Sequence, residues 1–151
     1  MRFARFGHPG LGRRLVVSVL APTALAIGLP CAGAAIADTV GQMQGLRRVL
    51  IVAAPAEADA RFVAQRHVLD GWTRGAADRD VTRVEIAGTD ARGADDTAAA
   101  LRRRYRLATG AFTIVLIGKD GHVAYRAHVP VSGQSLEAVI DAMPMRRAGQ
   151  R

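Results

Sequence analysis

The sequence predicts a single α/β domain, and three observations predict it. Val49 to Ala54 and Phe112 to Ile117 are continuous apolar runs of strand length, as strands buried on both faces require. Between them lie segments whose apolar residues recur at helical spacing. Gly118-Lys119-Asp120-Gly121 is turn chemistry, and Val123, Tyr125, Ala127 and Val129 behind it alternate with His122, Ala124, Arg126 and His128. The last pattern makes a hairpin: a buried strand at the centre of the sheet, then a half-exposed one.

Residues 1–37 read as an export signal. Arg2, Arg5, Arg13 and Arg14 form a positive lead, and Leu15 to Leu29 is apolar but too short and proline-broken for a membrane span. Ala35-Ile36-Ala37 puts small residues at −3 and −1 of a cleavage site between Ala37 and Asp38. Arg13-Arg14 before Leu15-Val16-Val17 is similar to a twin-arginine motif, so the general and twin-arginine export routes both stay open. Cleavage there removes four of the 21 basic residues and none of the 13 acidic ones, so the formal charge falls from +8 to +4. It also removes Cys31, the sole cysteine, leaving a core that stands without a disulfide. The expected organisation is a signal over 1–37, one domain over 38–147 and a disordered tail over 148–151. The expected location is periplasmic or secreted, with no membrane span in the mature protein.

The domain begins with a polar lead, Asp38 to Gly45, and then the strand Val49 to Ala54. Pro55 is placed to open a helix near its N1 position, with Glu57 and Asp59 in the first turn. Ala58, Phe62, Leu69 and Trp72 form its apolar stripe, interrupted by Gln65 and Arg66, and Gly71 and Gly75 end it. Val81 to Ala87 alternates as a strand, and Gly88 to Ala94 reads as a polar loop. Asp95 or Asp96 is the candidate cap of a second helix with an inner stripe of Ala98, Leu101 and Tyr105. Gly110 leads into the hairpin. Ser132 is the candidate cap of the last helix, where Leu136, Val139, Ile140 and Met143 keep i, i+3, i+4, i+7 spacing until Pro144.

The predicted order is therefore βαβαββα, a mixed central sheet with a C-terminal β-hairpin and helix. Helices joining the first three strands favour right-handed parallel crossovers. This order resembles a thioredoxin-like three-layer sandwich. Arg48 to Pro55, Leu101 to Tyr105, Val115 to Gly121 and Val139 to Arg146 further resemble the family called domain of unknown function 4174, over roughly residues 46–147. That resemblance implies a thioredoxin-like fold and assigns no catalytic residue. Related domains in animal extracellular proteins with sushi repeats imply a binding or structural module outside the cytoplasm.

Catalytic constellations are missing from the sequence. A thioredoxin-like redox enzyme needs a thiolate at the N-terminus of its first helix, where this chain has Ala54-Pro55-Ala56-Glu57. Redox members of the fold also carry a proline just before the hairpin, where this chain reads Thr109-Gly110-Ala111-Phe112-Thr113. Thiol-disulfide oxidoreductase activity is not expected. His122 and His128 are separated along one strand by about 20 Å, too far to share a metal ion. No nucleophile elbow or phosphate loop occurs, and no cofactor is expected.

Charge remains. Only Lys119 is lysine among the 21 basic residues, a skew that GC-rich codons explain as readily as arginine-specific chemistry. Arg102, Arg103, Arg104, Arg106, Lys119, Arg126, Arg146 and Arg147 are the candidates for a surface that meets an acidic envelope polymer or protein. Arginines in the last turn of a helix also suit its dipole. Nucleic acid is not expected for an exported chain without aromatic stacking platforms. The expected function is an exported, non-catalytic binding or structural module of the cell envelope. The alternative is a divergent thiol-independent enzyme or redox accessory protein. Free backbone N–H groups near Ala56 and Glu57 offer a second anion site, which the Glu57 carboxylate opposes.

Overall fold

The chain is described by a computed structural model over residues 37–144. Residues 1–36 of the expected export signal, Cys31 among them, and Arg146, Arg147 and residues 148–151 lie outside the described residues. The elements are β1 (Arg48–Ala54), α1 (Ala60–Gly71), α2 (Thr73–Ala77), β2 (Val81–Ala87), β3 (Asp90–Arg92), α3 (Ala98–Tyr105), β4 (Thr113–Ile117), β5 (Val123–Ala127) and α4 (Gly133–Asp141). The strands form one sheet in the order β3-β2-β1-β4-β5.

The middle strand is β1, not the strand at 113–117 that the hairpin pattern puts at the centre; β4 lies next to it. Both apolar runs are buried along their whole length because both are flanked by strands and covered by helices. Alternate residues of β1 enter two separate cores. Val49, Ile51 and Ala53 pack with Val84, Ile86, Leu101, Tyr105 and Val115 under α3. Leu50, Val52 and Ala54 pack with Phe62, Leu69, Trp72, Leu136 and Ile140 under α1 and α4. The result is three layers, as expected, with α3 alone on one side of the sheet.

β1 and β2 are parallel. The second crossover differs from expectation, because β4 runs antiparallel to β1, with Thr113 opposite Ala53. The cause is β3, a three-residue strand inside the segment that reads as a polar loop. It turns back along β2, pairing Arg92 with Glu85 and Asp90 with Ala87. After that extra reversal α3 returns the chain to the edge where β1 ends, so β4 starts there.

Helix starts also differ from the sequence expectation. α1 begins at Ala60, five residues beyond the position Pro55 suggests, because Asp59 is the N-cap and accepts from Arg61 N and Phe62 N. Thr97, rather than Asp95 or Asp96, caps α3 through a bond from Ala100 N. Asp96 instead accepts from Val40 N at 2.6 Å, fastening the polar lead to the start of α3. Ser132 caps α4 as expected. Gln65 does not interrupt the inner face of α1. It is buried, and its amide bonds both backbone groups of Val131, at 2.7 and 3.1 Å.

Gly133 is a close-approach position: a Cβ there would sit 2.6 Å from Trp72 Cδ1. Trp72 also donates to Glu137 at 2.8 Å, so the end of α1 is pinned to α4. Neither sheet edge invites a further strand. β3 is short and charged, and β5 carries a register shift opposite Leu116 and Ile117 before Pro130. Among the described residues no helix is long and apolar enough to cross a membrane.

Candidate functional site

Two regions carry the polar chemistry: the sheet edge where β1 and β2 end, and the outer side of α3. At the edge, the donors of the first turn of α1 are already taken. The Asp59 carboxylate accepts from Arg61 N at 2.9 Å and Phe62 N at 3.4 Å, and Arg61 Nη2 lies 3.1 Å from its second oxygen. The Arg61 side-chain bond, reinforced by these N–H groups, holds the Asp59 carboxyl below its ordinary range. Glu57 pairs with Arg92 of β3 instead of facing the helix. The N–H groups near Ala56 and Glu57 thus lie ahead of the helix, whose N-terminus is capped internally by Asp59.

Arg102 reaches the same edge from the opposite layer. Its guanidinium bonds Ala54 O at 2.8 Å, Gly88 O at 3.2 Å and Ala108 O at 3.0 Å. It thereby ties together the loops after β1, after β2 and before β4. The residue is only 7% exposed, so it is not part of the basic surface the sequence suggests. Burial pushes its pKa down, yet guanidinium stays charged, and the three carbonyl dipoles face that charge. The helical spacing accounts for that burial. Ala98, Leu101, Arg102 and Tyr105 follow i, i+3, i+4, i+7, and all four are buried.

Before β4, Arg61 lies over the Phe112 ring at 5.6 Å. The His128 imidazole sits 3.4 Å from Phe112 O and 3.3 Å from the Thr113 hydroxyl. Among the described residues no group of three His, Cys, Asp or Glu could hold a metal ion.

Lys119 also leaves the predicted basic surface. It is 8% exposed and bonds Asp80 at 2.9 Å, joining the β4–β5 turn to the turn before β2. Ala37 and Asp38 are exposed, and Asp38 O accepts from Asp95 N at 3.2 Å beside the start of α3.

What the fold does bring together is the end of α3 and the edge strand β5. Arg103, Arg104, Arg106 and Arg126 are all exposed. Arg126 reaches from β5 across β4 and donates to Tyr105 O at 2.7 Å, satisfying a carbonyl of the last helical turn. Arg104 lies over the Tyr105 ring at 5.4 Å. Burial raises the Tyr105 phenol pKa, so the ring stays neutral beneath these charges. Arg106 ends the helix in a left-handed conformation, φ 53°, which carries its side chain beyond the helical turn. None of the four has a carboxylate partner among the described residues.

Five arginines of the other layer do, and Arg74 does not among the described residues. Arg66 and Arg83 flank Glu85 at 3.5 and 3.2 Å, and Arg83 also meets Asp70 at 2.7 Å. Arg79 meets Glu137 at 3.3 Å and Asp141 at 2.8 Å. Arg61 and Arg92 take Asp59 and Glu57.

Residues 39–149 match the family model described as Domain of unknown function (DUF4174). No curated protein matches the chain. Among solved structures, the reduced 2-Cys peroxiredoxin of Plasmodium vivax is similar with a TM-score of 0.56 and 15% identity, over 74% of this chain and 84% of that one. Thioredoxin-2 of the malaria parasite, a component of its protein secretion machinery, matches at 0.48 and 16% identity, over 64% and 84%. StoA from Bacillus subtilis matches at 0.49 and 11% identity, over 64% and 83%. The likeness is one of fold, and the fold is thioredoxin-like.

Proposed function

The chain belongs to the DUF4174 family, and on that premise we propose that it is an exported, non-catalytic module of the cell envelope that binds an anionic partner. One observation carries the reading. The exposed arginines at the end of α3 and on β5 have no carboxylate partner among the described residues, while Arg61, Arg66, Arg79, Arg83 and Arg92 of the opposite layer are paired and Arg74 there has none. Exposed charges left without internal partners are the ones free to steer and hold an oppositely charged molecule.

The non-catalytic part is supported by the sheet edge. It offers no thiol, its helix donors are taken by Asp59, and Arg102 occupies the strand-end carbonyls. The export part rests on the composition of residues 1–37.

The test has two arms. N-terminal sequencing of the chain recovered from the envelope fraction is expected to start at Asp38; a cytosolic chain starting at Met1 removes the envelope reading. In the second arm, immobilised chain is loaded with envelope extract at low salt. Retained material is expected to elute as salt rises, since exposed charge contacts are screened within about 8 Å at physiological ionic strength. Retention indifferent to salt removes the anionic-partner reading.

A further inference from the structure

We propose that the face formed by the last turn of α3 and by β5 docks a linear anionic polysaccharide, with Arg103, Arg104, Arg106 and Arg126 as its contacts. The inference rests on the binding reading above and names the partner class.

The first argument is placement. The Arg126 bond to Tyr105 O holds a β5 guanidinium against the end of α3, and Arg104 is stacked on Tyr105. Two elements thus present four cations on one side of the molecule. Guanidinium forks recognise carboxylate and phosphate oxygens in pairs, which suits anions repeated along a chain.

The second argument is electrostatic. The carboxylates of this layer, Asp38, Asp95 and Asp96, gather at the start of α3, and Asp96 is held there by Val40 N. An eight-residue helix puts them about 12 Å from its far end. Arg104 reaches back to Gly41, next to the Val40 that Asp96 holds, whereas Arg103, Arg106 and Arg126 keep their charge at the far end.

The third argument separates partner classes. The large exposed apolar residues are Leu46, Val63, Val123 and Val129; only Val123 belongs to β5, at the opposite end of that strand from Arg126, and none belongs to α3 or the turn that ends it. Tyr105 is buried beneath the patch rather than presented. A protein partner would want an aromatic or aliphatic anchor here, a membrane an apolar wedge, and a single-stranded nucleic acid a stacking ring. A hydroxylated anionic chain needs none of these.

The experiment titrates the full chain with polygalacturonate, with its galacturonate monomer and with neutral dextran. Polymer binding is expected, with log affinity falling against log salt at a slope of about −3 for four contacts at ~0.7 each. The monomer and dextran are expected not to bind. Arg103→Glu with Arg106→Glu should abolish binding without lowering the melting temperature. Arg47→Glu with Arg74→Glu makes the same change in net charge away from this face and should leave binding intact. Equal losses in the two double variants would overturn the proposal, because net charge alone would then explain the binding. Failure to bind polymer, while the Arg103/Arg106 variant still loses retention of envelope material, overturns the polysaccharide and leaves the anionic-partner reading standing. Retention unaffected by that variant overturns both.

Discussion

On the α1 and α4 side of the sheet Arg61, Arg66, Arg79, Arg83 and Arg92 each meet a carboxylate, whereas on the α3 side Arg103, Arg104, Arg106 and Arg126 meet none among the described residues. The two sets are chemically identical and nearly equal in number. On the first side the charge is consumed in holding helices to strands: Arg83 links β2 to α1, and Arg79 links the end of α2 to α4. On the second it is turned outward. A net charge of +8 cannot distinguish these uses; only the partners can.

The comparison can be broken first at the sheet both sides share. Leu116 is fully buried under α1 and α4. Leu116→Ala is expected to cost about 2–5 kcal/mol in denaturant unfolding, from lost transfer energy plus the cavity left behind. A change within about 0.5 kcal/mol would contradict the burial of β4.

The next largest effect is expected at Arg102, the one arginine of α3 that is structural. Arg102→Met keeps its length but leaves Ala54 O, Gly88 O and Ala108 O without that donor. At about 1–3 kcal/mol for a buried polar group left unpaired, the expected loss is roughly 3 kcal/mol, because loops partly relax toward water. Arg103→Met, one residue away and exposed, is expected to change stability by less than about 0.5 kcal/mol. Equal effects at the two positions would erase the distinction between clamp and contact.

Acid sharpens the comparison further, with a smaller effect. Asp59 is held low chiefly by the Arg61 hydrogen bond, and Asp70 chiefly by that of Arg83. A carboxylate with a depressed folded pKa stabilises fully above its unfolded value, near 3.8 here, and loses that contribution as pH falls through the folded value. Melting temperature is thus expected to drop below about pH 4. Asp59→Asn with Asp70→Asn should flatten that drop, while Arg103→Glu should leave its shape unchanged.

Much of this architecture was legible. The runs at 49–54 and 112–117, the alternation in β5 and the spacing of Leu136 and Ile140 all signal burial, because burial is what they serve. β3 was illegible because Asp90-Ala91-Arg92 is an edge strand with exposed ends and no apolar pattern to announce it. It in turn hid the antiparallel entry of β4. Gln65 and Arg102 misled for the opposite reason: polar side chains can be buried wherever the backbone offers partners, and those partners come from residues 131, 54, 88 and 108. Within the candidate site, the stretch Arg102 to Arg106 stood out by composition. Its division into a buried clamp and exposed contacts, and the convergence of Arg126 on it, needed the third dimension.

The most direct measurement compares charge reversal on the two sides, reading melting temperature and retention of envelope material from the same samples. Arg103→Glu with Arg104→Glu is expected to lose retention and keep the melting temperature. Arg79→Glu with Arg83→Glu, which sets glutamates against Glu137, Asp141, Asp70 and Glu85, is expected to lower the melting temperature and keep retention at temperatures where the variant is folded. The opposite pattern, with retention lost from the paired side and kept on the α3 side, would contradict the account.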